Sequence, residues 1–572
     1  MRQAVPLSFS SDGSRLLVTS NLPGTHQLYA LPPRGGELEQ LTDVADPVSG
    51  LFLPDGRILV EMDDGGNERK QLYVLGDGLE PLVVDPRFIH RTPHAAGSVV
   101  AYSTNRRNGV DFDIVARHLE TGAERVFELG GNCSVEAVSP DGRWIAVDRV
   151  GEQSGDNDLY LCDLETGDVV HATPHDEPAE YYSPLWLHDV LVFATNAGRD
   201  TFAIVAGGKV VHESDWDLEC FADDASRNLL VLANEDGYSR LTLLDPQTFA
   251  VRREVPLPGR GVVEHPVFSA DGSLLAFAFS TPIEPHDVYV YEIGGAAPTR
   301  RTTSRREVDP ATLVEPSLHR YESFDGESVP VFLFEPSGDG PFPVVVTVHG
   351  GPESQWLPWF APSFAPLTQY LVSRGYAVAA PNVRGSTGYG KRYEHLDDIE
   401  KRLDSVADLA SLHSWLDARP SIDGSQAVVY GRSYGGYMVL AALAFQPELW
   451  AAGIECVGIS SLVTFLENTS PYRRAARERE YGSLERDRDV LVEASPMTRI
   501  DAIRAPLFIQ HGRNDPRVPV SESEHIHAVL TEKGLPCELL VFDDEGHTVE
   551  KLQNRIETFA RAVAFLDRVL AG

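Results

Sequence analysis

The chain has 572 residues, of which 42% are hydrophobic and 9% aromatic, so it is long enough for two or more globular domains with large cores. Its 49 basic and 85 acidic residues give a net charge of −36, which disfavours nucleic acid and anionic membranes as partners. The sequence has no recognisable secretory leader, no apolar run of about 18 residues and no cysteine pattern typical of zinc or disulfides. We therefore expect a soluble, cytoplasmic protein without metal or cofactor, and leave a homo-oligomer open.

A short phrase containing Asp-Gly recurs through the first half of the chain. It reads FSSDGSRLLV at 9–18, FLPDGRILV at 52–60, VSPDGRWIAV at 138–147 and FSADGSLLAF at 268–277. Successive Asp-Gly dipeptides lie 43, 86 and 130 residues apart, close to one, two and three units of one period. Three further hairpin-like segments occupy the missing positions, which makes seven units.

Each unit contains alternating apolar residues around the turn and a third short strand. Such a pattern predicts hairpins, and a unit of this length with four short strands is typical of a propeller blade. The sequence therefore predicts a seven-bladed β-propeller over residues 1–305. A β-sandwich with chance regularity is the alternative.

After a linker predicted at 306–320, apolar strands alternate with helices. Buried strands of a mainly parallel sheet are predicted at 343–350, 375–381, 427–431, 451–457, 505–512 and 537–544. The final helix has an apolar stripe at Leu552, Ile556, Phe559, Val563, Leu566 and Leu570. These patterns predict a doubly wound α/β domain over 321–572.

The segment GRSYGG at 431–436 lies between a predicted strand and an alanine-rich helix. A Gly-x-Ser-x-Gly motif at such a turn holds its serine in a strained conformation with the hydroxyl exposed above the sheet. Ser433 is therefore the candidate nucleophile. The alternative is a serine that merely caps the following helix.

The general base should follow the nucleophile in the chain, on a loop after a later strand. His547 meets this condition, because it lies in the loop DEGH after the last strand and before the final helix. His525 and His527 lie inside a predicted helix. His511 ends a strand and precedes every loop acid after that strand, so it breaks the required order.

The acid that orients the base should leave the preceding strand. Asp515 lies four residues beyond His511 and is the candidate. Asp543 and Asp544 are rivals, although they are too close to His547 in sequence to face it from an adjacent strand. The remaining alternative makes Asp515 an ordinary turn residue.

Donors for a tetrahedral oxyanion are expected where VHGGPES, at 348–354, ends a strand with two glycines. A backbone N–H of this loop and that of Tyr434 would form the hole. His349 is expected to orient the loop rather than transfer protons.

The propeller repeats followed by HGGP, GRSYGGYM, DPRVP and EGH resemble the prolyl oligopeptidase family of serine peptidases, and the acylaminoacyl peptidases are the most similar branch. The resemblance implies an N-terminal seven-bladed β-propeller plus a C-terminal α/β-hydrolase domain. It also implies that the propeller caps the active site and admits only short peptides.

The same resemblance implies a role for each matched residue. Ser433, Asp515 and His547 match the catalytic triad. Gly351 and Tyr434 match the backbone oxyanion donors, and Arg517 in DPRVP matches an arginine near the substrate carbonyl.

The sequence departs from the family pattern in three places. Arg432 replaces the usual glycine before the nucleophile. The chain has no adjacent Glu-Glu pair, which disfavours dipeptide release from free amino termini. We also expect the N-terminal helix common in acylaminoacyl peptidases to be absent, because the first predicted blade starts within about four residues.

The family builds its S1 pocket after the strand that follows the elbow, which corresponds here to 456–482. Val457, Leu462, Phe465 and Leu466 are candidate pocket residues, with a helix core as the alternative. The nearby basic run is expected to pair with Glu478 and Glu480 rather than bind a substrate carboxylate; it comprises Arg473, Arg474, Arg477 and Arg479.

These features predict a serine peptidase that hydrolyses short peptides or N-acylated peptides through an acyl-enzyme. An esterase or small-amide hydrolase with the same triad is one alternative, with acylated small molecules as its substrates. A propeller binding protein with a catalytically dead hydrolase domain is the other.

Overall fold

The computed structural model describes residues 3–304, 308–360 and 365–570 and contains two compact units. Seven four-stranded antiparallel sheets form the first unit, and one eight-stranded sheet with its helices forms the second. The predicted fold class, a seven-bladed propeller followed by an α/β-hydrolase domain, is confirmed. None of the described helices is both long enough and apolar enough to cross a bilayer.

Over the residues that the structure describes, the first unit contains 28 short strands, four in each blade. Blades one to four contain β1 (Ala4–Phe9), β2 (Leu16–Ser20), β3 (Gln27–Leu31), β4 (Glu39–Gln40); β5 (Val48–Phe52), β6 (Ile58–Met62), β7 (Gln71–Leu75), β8 (Leu79–Val83); β9 (His90–Ala96), β10 (Val99–Thr104), β11 (Asp113–His118), β12 (Glu124–Phe127); β13 (Cys133–Val138), β14 (Trp144–Val150), β15 (Asn157–Asp163) and β16 (Val169–His171). Blades five to seven contain β17 (Tyr181–Leu187), β18 (Val190–Thr195), β19 (Ala203–Ala206), β20 (Lys209–His212); β21 (Leu218–Ala222), β22 (Leu229–Glu235), β23 (Tyr238–Leu244), β24 (Val251–Glu254); β25 (Val262–Phe268), β26 (Leu274–Thr281), β27 (Glu284–Glu292) and β28 (Thr299–Arg300).

The recurring Asp-Gly phrase folds into the same turn in different blades. The Ser10 hydroxyl donates to Asp12 Oδ1 at 2.6 Å, and Ser269 donates to Asp271 Oδ1 at 2.7 Å. Gly13 follows Asp12 with φ 68°, a left-handed conformation that glycine adopts without strain. The repeat seen in the sequence is therefore a repeat of local hydrogen bonding.

Alternate side chains of each strand pack against the two neighbouring blades. In β2, Leu17 packs with Val48 and Phe52 of the second blade, whereas Leu16 packs with Leu274 and Ala276 of the seventh. Because β1 also contacts β25, the first and last blades are neighbours and the ring is closed. Closure leaves only short, protected strand edges.

The second unit has one mixed sheet whose strand order is β29-β30-β32-β31-β33-β34-β35-β36. The first two of these strands join antiparallel and the other six run parallel to one another. Their bounds are β29 (Ser317–Glu322), β30 (Ser328–Phe334), β31 (Phe342–Val348), β32 (Ala377–Pro381), β33 (Ile422–Arg432), β34 (Ala452–Cys456), β35 (Leu507–Gly512) and β36 (Cys537–Phe542).

All six strands predicted for this domain are present, and β29 and β30 are additional. The segment predicted as a linker, 306–320, includes residues 306 and 307, which lie outside the described residues. Its described part contains a 3-10 helix at Pro310–Thr312, and β29 begins within it at Ser317.

Helices cover both faces of this sheet. They are α1 (Ala365–Ser373), α2 (Lys391–Glu394), α3 (Arg402–Asp417), α4 (Tyr434–Phe445), α5 (Leu462–Asn468), α6 (Pro471–Tyr481), α7 (Arg488–Glu493), α8 (Val520–Glu532) and α9 (Leu552–Leu570), with further 3-10 helices at Ile399–Lys401 and Pro496–Ala502. Eleven of the twelve α4 residues are buried, which explains its uniformly apolar sequence.

The buried face of α9 is displaced from the predicted stripe. Leu552 and Ile556 are 40% and 51% exposed, whereas Arg555, Ala562 and Phe565 are buried. The predicted stripe therefore coincides only in part with the face of α9 that packs on the sheet. The packed face also includes side chains beside the stripe, among them the aliphatic stem of Arg555.

Candidate active site

Ser433 occupies the sharp turn between β33 and α4, with φ 60° and ψ −120°. The flanking glycines are required by close backbone packing. A Cβ on Gly431 would lie 2.3 Å from the Gly435 carbonyl oxygen, and one on Gly435 would lie 2.2 Å from that of Val348. Although Ser433 stands at the N-cap of α4, its side chain makes no capping hydrogen bond to the described backbone. This geometry favours an exposed hydroxyl over the helix-cap alternative.

The positive φ of Ser433 predicts a stability gain on substitution by glycine. Non-glycine residues in such conformations cost on the order of 1–3 kcal/mol, which glycine avoids. We expect Ser433→Gly to melt at a higher temperature than Ser433→Ala, by an amount equivalent to about 1 kcal/mol. Both variants lack the hydroxyl, so their difference in melting temperature reports the relief of backbone strain, less the entropy that the more flexible glycine loses on folding. Equal melting temperatures would contradict a strained elbow.

Asp515 and His547 meet in the second unit, from the loops after β35 and β36. His547 Nδ1 lies 2.7 Å from Asp515 Oδ2. The other carboxylate oxygen, Oδ1, accepts the backbone N–H groups of Arg517 at 2.8 Å and Val518 at 3.1 Å. Burial opposes ionisation of Asp515, but the His547 and His511 rings outweigh it and hold the pKa of this carboxyl well below its usual range. Asp515 is therefore an oriented carboxylate.

The His547 ring is buried and directs Nδ1 to Asp515, which leaves Nε2 to exchange a proton with a reacting group. Burial lowers the pKa of His547 below its ordinary value of 6.5, although Asp515 opposes this shift. The positive charges of Arg517 and Arg432 lower the pKa further. His547 is consequently neutral near pH 7, as a general base must be.

The rival acids are engaged elsewhere. Asp543 is 82% exposed and pairs with Arg513 at 2.5 Å. Asp544 pairs with Lys551 at 2.9 Å. Only Asp515, among the candidates weighed from the sequence, contacts His547 in the described part of the chain.

The loop that follows β31 packs directly against the elbow. A Cβ on Gly350 would lie 3.1 Å from the Arg432 carbonyl oxygen and 3.4 Å from Ser433 Cβ. Gly351 has φ 134°, which favours glycine. Tyr434 begins α4, so its backbone N–H is one of the unpaired donors at the positive end of the helix dipole. Both predicted oxyanion donors thus belong to backbone segments beside Ser433.

His349 fixes this loop. Its Nε2 lies 2.8 Å from the Ser386 hydroxyl, and its Nδ1 lies 2.8 Å from the Gly350 carbonyl oxygen. Burial lowers the pKa of His349 to about 4, so the ring is neutral at physiological pH. These contacts support the orienting role expected from the sequence.

The predicted substrate-binding residues differ in burial and in their distance along the chain from the elbow. Arg517 is half-buried, and its charge acts on His547 and Arg432. Val457 is buried beside the elbow with φ 48°, a strained conformation for a β-branched residue. Leu462 and Phe465 are buried in the main core of the unit.

Leu466 is buried in the same core. The positions of Leu462, Phe465 and Leu466 accord with the helix-core alternative. Val457 is buried as well, but it directly follows Cys456, whose carbonyl oxygen accepts the Ser433 backbone N–H at 2.9 Å, so it stays the pocket candidate beside the elbow.

The basic run on α6 pairs with acidic groups. Arg474 contacts Glu478 at 3.0 Å, one turn away, and Arg477 contacts Glu353 at 3.5 Å. Glu480 pairs instead with the buried Arg402. The expected pairing with Glu478 is present, whereas Glu480 pairs outside the run and Arg477 pairs with an acid in the loop after Gly351.

A buried network behind the elbow was not anticipated from the sequence. The Tyr434 hydroxyl donates to Asp397 Oδ2 at 2.9 Å and lies 2.8 Å from the Ser405 hydroxyl. Arg402 forms short ion pairs with Asp397 and Glu480. These side chains come from separate segments and anchor the ring of the residue whose backbone N–H is an oxyanion candidate.

One group of acidic side chains in the described chain has the spacing of metal ligands, namely Asp397, Asp398 and Glu480. The Arg402 guanidinium already pairs with two of the three carboxylates and supplies the compensating charge. The site residues therefore do not fit a metal ion at this position.

Residues 362–572 match the family model described as Prolyl oligopeptidase family. The dipeptidyl aminopeptidase BIII of Pseudoxanthomonas mexicana is 30% identical over 406 residues, which cover 67% of this chain and 58% of that protein. The acylamino-acid-releasing enzyme 1 of Oryza sativa subsp. japonica is 27% identical over 229 residues, covering 38% of this chain and 29% of that protein. The aligned segments thus span little more than half the length of the first relative and less of the second.

A solved structure from a study of two prolyl endopeptidases has a TM-score of 0.88 with 19% identity, covering 100% of this chain and 90% of that chain. It establishes that the fold is shared. The motifs, the family match and these relatives agree, and the chain belongs to the prolyl oligopeptidase family of serine peptidases, as its sequence predicts.

Proposed function

We propose that this protein is a serine peptidase that hydrolyses short peptides or N-acylated peptides, with Ser433 as nucleophile, His547 as general base and Asp515 as the residue that orients the base. The observation that carries the proposal is the 2.7 Å contact between His547 Nδ1 and Asp515 Oδ2, in a unit whose elbow holds Ser433 at positive φ. Both features are what acyl transfer by a Ser-His-Asp triad requires.

In the proposed reaction, Ser433 Oγ attacks the carbonyl carbon of the substrate and its proton passes to His547 Nε2. Negative charge develops on the carbonyl oxygen, where the backbone N–H groups of Gly351 and Tyr434 stabilise it. Asp515 stabilises the imidazolium through Nδ1. The C–N bond then breaks, the departing amine takes the proton from Nε2, and an ester of Ser433 remains.

Water completes the cycle. It attacks the ester carbonyl while giving a proton to Nε2, and Ser433 recovers that proton as the acid product leaves. Arg517 is proposed to lie near the substrate carbonyl, and Val457 to border the first substrate pocket. Leu462 and Phe465 would shape that pocket from behind.

Substrate class is proposed from the relatives. Their names include a dipeptidyl aminopeptidase, a dipeptidyl peptidase family member and an acylamino-acid-releasing enzyme, so both free and blocked amino termini are to be tested. The missing Glu-Glu pair favours blocked termini. A peptide library with free and acetylated copies of each sequence, read by mass spectrometry, compares the two directly.

The deciding experiment combines active-site labelling with turnover. We expect a fluorophosphonate to label the wild-type protein at Ser433 and acyl-peptides to be cleaved. Labelling without peptide cleavage, but with turnover of p-nitrophenyl esters, would favour the esterase or small-amide hydrolase. Absence of labelling would indicate a binding protein with a dead hydrolase domain.

Activity should fall on the acidic side through protonation of His547. Because burial and two arginines lower the pKa of His547, the acidic limb of kcat/KM should lie below pH 6.5, the ordinary value for histidine. At lower pH the base is charged and cannot accept the Ser433 proton. A kcat/KM profile with a short acyl-peptide tests this. A midpoint above pH 7 would contradict the predicted direction of the shift.

Peptide length should limit turnover, as the family resemblance implies for the propeller. We expect tetrapeptides to be cleaved rapidly and unfolded casein to be cleaved at a small fraction of that rate. A tryptic digest of the same casein is the matched control, because it presents the same sequences as short peptides. Equal rates per cleavable bond for casein and its digest would exclude a size limit.

A further inference from the structure

Three buried polar side chains lie behind the catalytic carboxylate and take no part in the proposed triad. His511 belongs to β35, Ser523 to α8 and Glu455 to β34. Each is 0% exposed. Burying an ionisable group costs free energy unless hydrogen bonds or opposite charges replace its contacts with water, so the partners of these side chains determine their charge.

Hydrogen bonds connect these three side chains in a row, and its last member, His511, lies within ion-pair distance of Asp515. The Ser523 hydroxyl lies 2.7 Å from His511 Nδ1 and 3.3 Å from Glu455 Oε1. His511 Nε2 lies 2.9 Å from the Val518 carbonyl oxygen and 3.6 Å from Asp515 Oδ2. Asp515 Oδ2 is also the oxygen that holds His547, so two imidazoles share one carboxylate oxygen.

The number of donors and acceptors in this row determines how many protons the row must carry. His511 Nε2 must carry a hydrogen, because its neighbour at Val518 is a carbonyl oxygen that only accepts. The Ser523 hydroxyl has a single hydrogen and faces a nitrogen on one side and a carboxyl on the other. Both contacts are satisfied only when the Glu455 and His511 pair holds one further proton.

That proton can occupy either of two positions along the row, and both arrangements satisfy the two contacts of Ser523. If it resides on Glu455, the carboxyl donates to Ser523, which donates to a neutral His511. If it resides on His511, the imidazolium donates to Ser523, which donates to the Glu455 carboxylate. The net charge of the pair is zero in both arrangements and becomes −1 when the proton is lost.

Burial and a neighbouring charge favour retention of the proton on Glu455. The Glu522 carboxyl raises the pKa of Glu455, whereas the Gly458 backbone N–H, which donates to Glu455 Oε2 at 2.7 Å, lowers it. Burial raises the pKa of Glu455 to about 7, although His511 and Ser523 oppose the shift. Burial opposes protonation of His511, but Asp515 and Glu455 outweigh it and raise the pKa of this ring.

Glu522, which favours retention of the proton, is fixed in place, and the two nearby thiols are neutral. Glu522 is held by the Ser460 hydroxyl at 2.6 Å and by the Ser461 backbone N–H at 2.9 Å. Burial raises the pKa of the Cys456 and Cys537 thiols to about 12, so both thiols are neutral in the physiological range.

We propose that Glu455, Ser523 and His511 form a one-proton positioning chain that braces Asp515 from behind and sets the charge next to the catalytic carboxylate. The inference deepens the proposed serine peptidase function and rests on it. None of the three residues touches the reacting atoms; each acts through Asp515. Loss of the shared proton breaks one contact of Ser523 and places a negative charge behind the triad.

The test measures the rate at which a fluorophosphonate labels Ser433 between pH 5 and pH 9, since this readout needs no knowledge of the natural substrate. We expect two inflections in the wild-type rate profile, one from His547 and one near neutral pH from the Glu455 and His511 pair. Glu455→Gln should remove the second inflection, because its amide donates to Ser523 permanently and cannot ionise. This variant replaces one carboxyl oxygen by an amide nitrogen of similar size, so we expect folding to be preserved.

Ser523→Ala interrupts the row and should slow labelling on the order of 10-fold, the equivalent of one buried hydrogen bond. Ser521→Ala is the matched control, because Ser521 is exposed on the same helix. Melting temperatures establish that each variant is folded. Labelling of Ser523→Ala at the rate of Ser521→Ala, or a second inflection that persists in Glu455→Gln, would overturn the positioning chain. An unlabelled wild-type protein would instead refute the proposed function itself.

Discussion

Ser433→Ala is expected to lower kcat on the order of 10⁴–10⁶-fold, because the nucleophilic oxygen is lost and water must attack without an acyl-enzyme. Folding should be preserved. The Ser433 side chain makes no capping hydrogen bond to the described backbone, and alanine removes only the hydroxyl. The measurement is turnover of a short acyl-peptide by the purified variant, together with its melting temperature.

Ser414→Ala provides the control, since Ser414 is exposed on α3 and its hydroxyl donates to the Ala410 carbonyl oxygen of the same helix. It should retain wild-type turnover and fluorophosphonate labelling, whereas Ser433→Ala should show neither. If Ser433→Ala kept more than a few per cent of wild-type turnover, another residue would be the nucleophile.

The parts of this molecule that the sequence predicts well are those encoded by local turn chemistry. The Asp-Gly turns of the blades form because Asp12 and Asp271 accept hydrogen bonds from serines two residues earlier. The elbow around Ser433 forms because Gly431 and Gly435 alone allow the backbone to approach so closely. In each case a few adjacent residues suffice, so a single sequence carries the information.

The antiparallel hairpin that precedes the parallel strands was not predicted, because its local sequence pattern is weak. Its strands, β29 and β30, are joined by a turn containing Asp325 and Gly326, which resembles the blade turns in composition. Of the six β29 residues only Tyr321 is buried, so the apolar alternation that marks a strand is weak. Membership of the hairpin in the second sheet depends on pairing with β32, which no local signal specifies.

Side-chain networks that join distant segments could not be predicted where no motif links their members. The ion pairs of Arg402 with Asp397 and Glu480 join residues up to 78 positions apart. The row of His511, Ser523 and Glu455 likewise comes from three elements, and its members look like ordinary strand and helix residues in the sequence. Chain order did suggest Asp515 as the partner of His547, because the order of triad residues along the chain is fixed by topology.

Asp515→Asn is expected to lower kcat by roughly 10⁴-fold while leaving the fold intact. Two backbone N–H groups, of Arg517 and Val518, donate to Oδ1 at 2.8 and 3.1 Å, so the amide oxygen of asparagine must occupy that position. The amide nitrogen is then forced into the place of Oδ2, facing His547 Nδ1. Because that nitrogen only donates, His547 must accept through Nδ1 and carry its hydrogen on Nε2.

This tautomer presents Ser433 with a donor where a base is required, and the imidazolium that would form on proton transfer has lost its counter-charge. The steric change is negligible, which separates the electrostatic effect from packing. Asp543→Asn is the matched control, because Asp543 is 82% exposed and pairs with Arg513, so its rate should stay within about twofold of wild type. Turnover of a short acyl-peptide at pH 8 compares the two variants under conditions where His547 is neutral in the wild-type protein. A greater loss in Asp543→Asn than in Asp515→Asn would mean that the carboxylate serving His547 had been misplaced, and with it the direction in which the proton leaves Ser433.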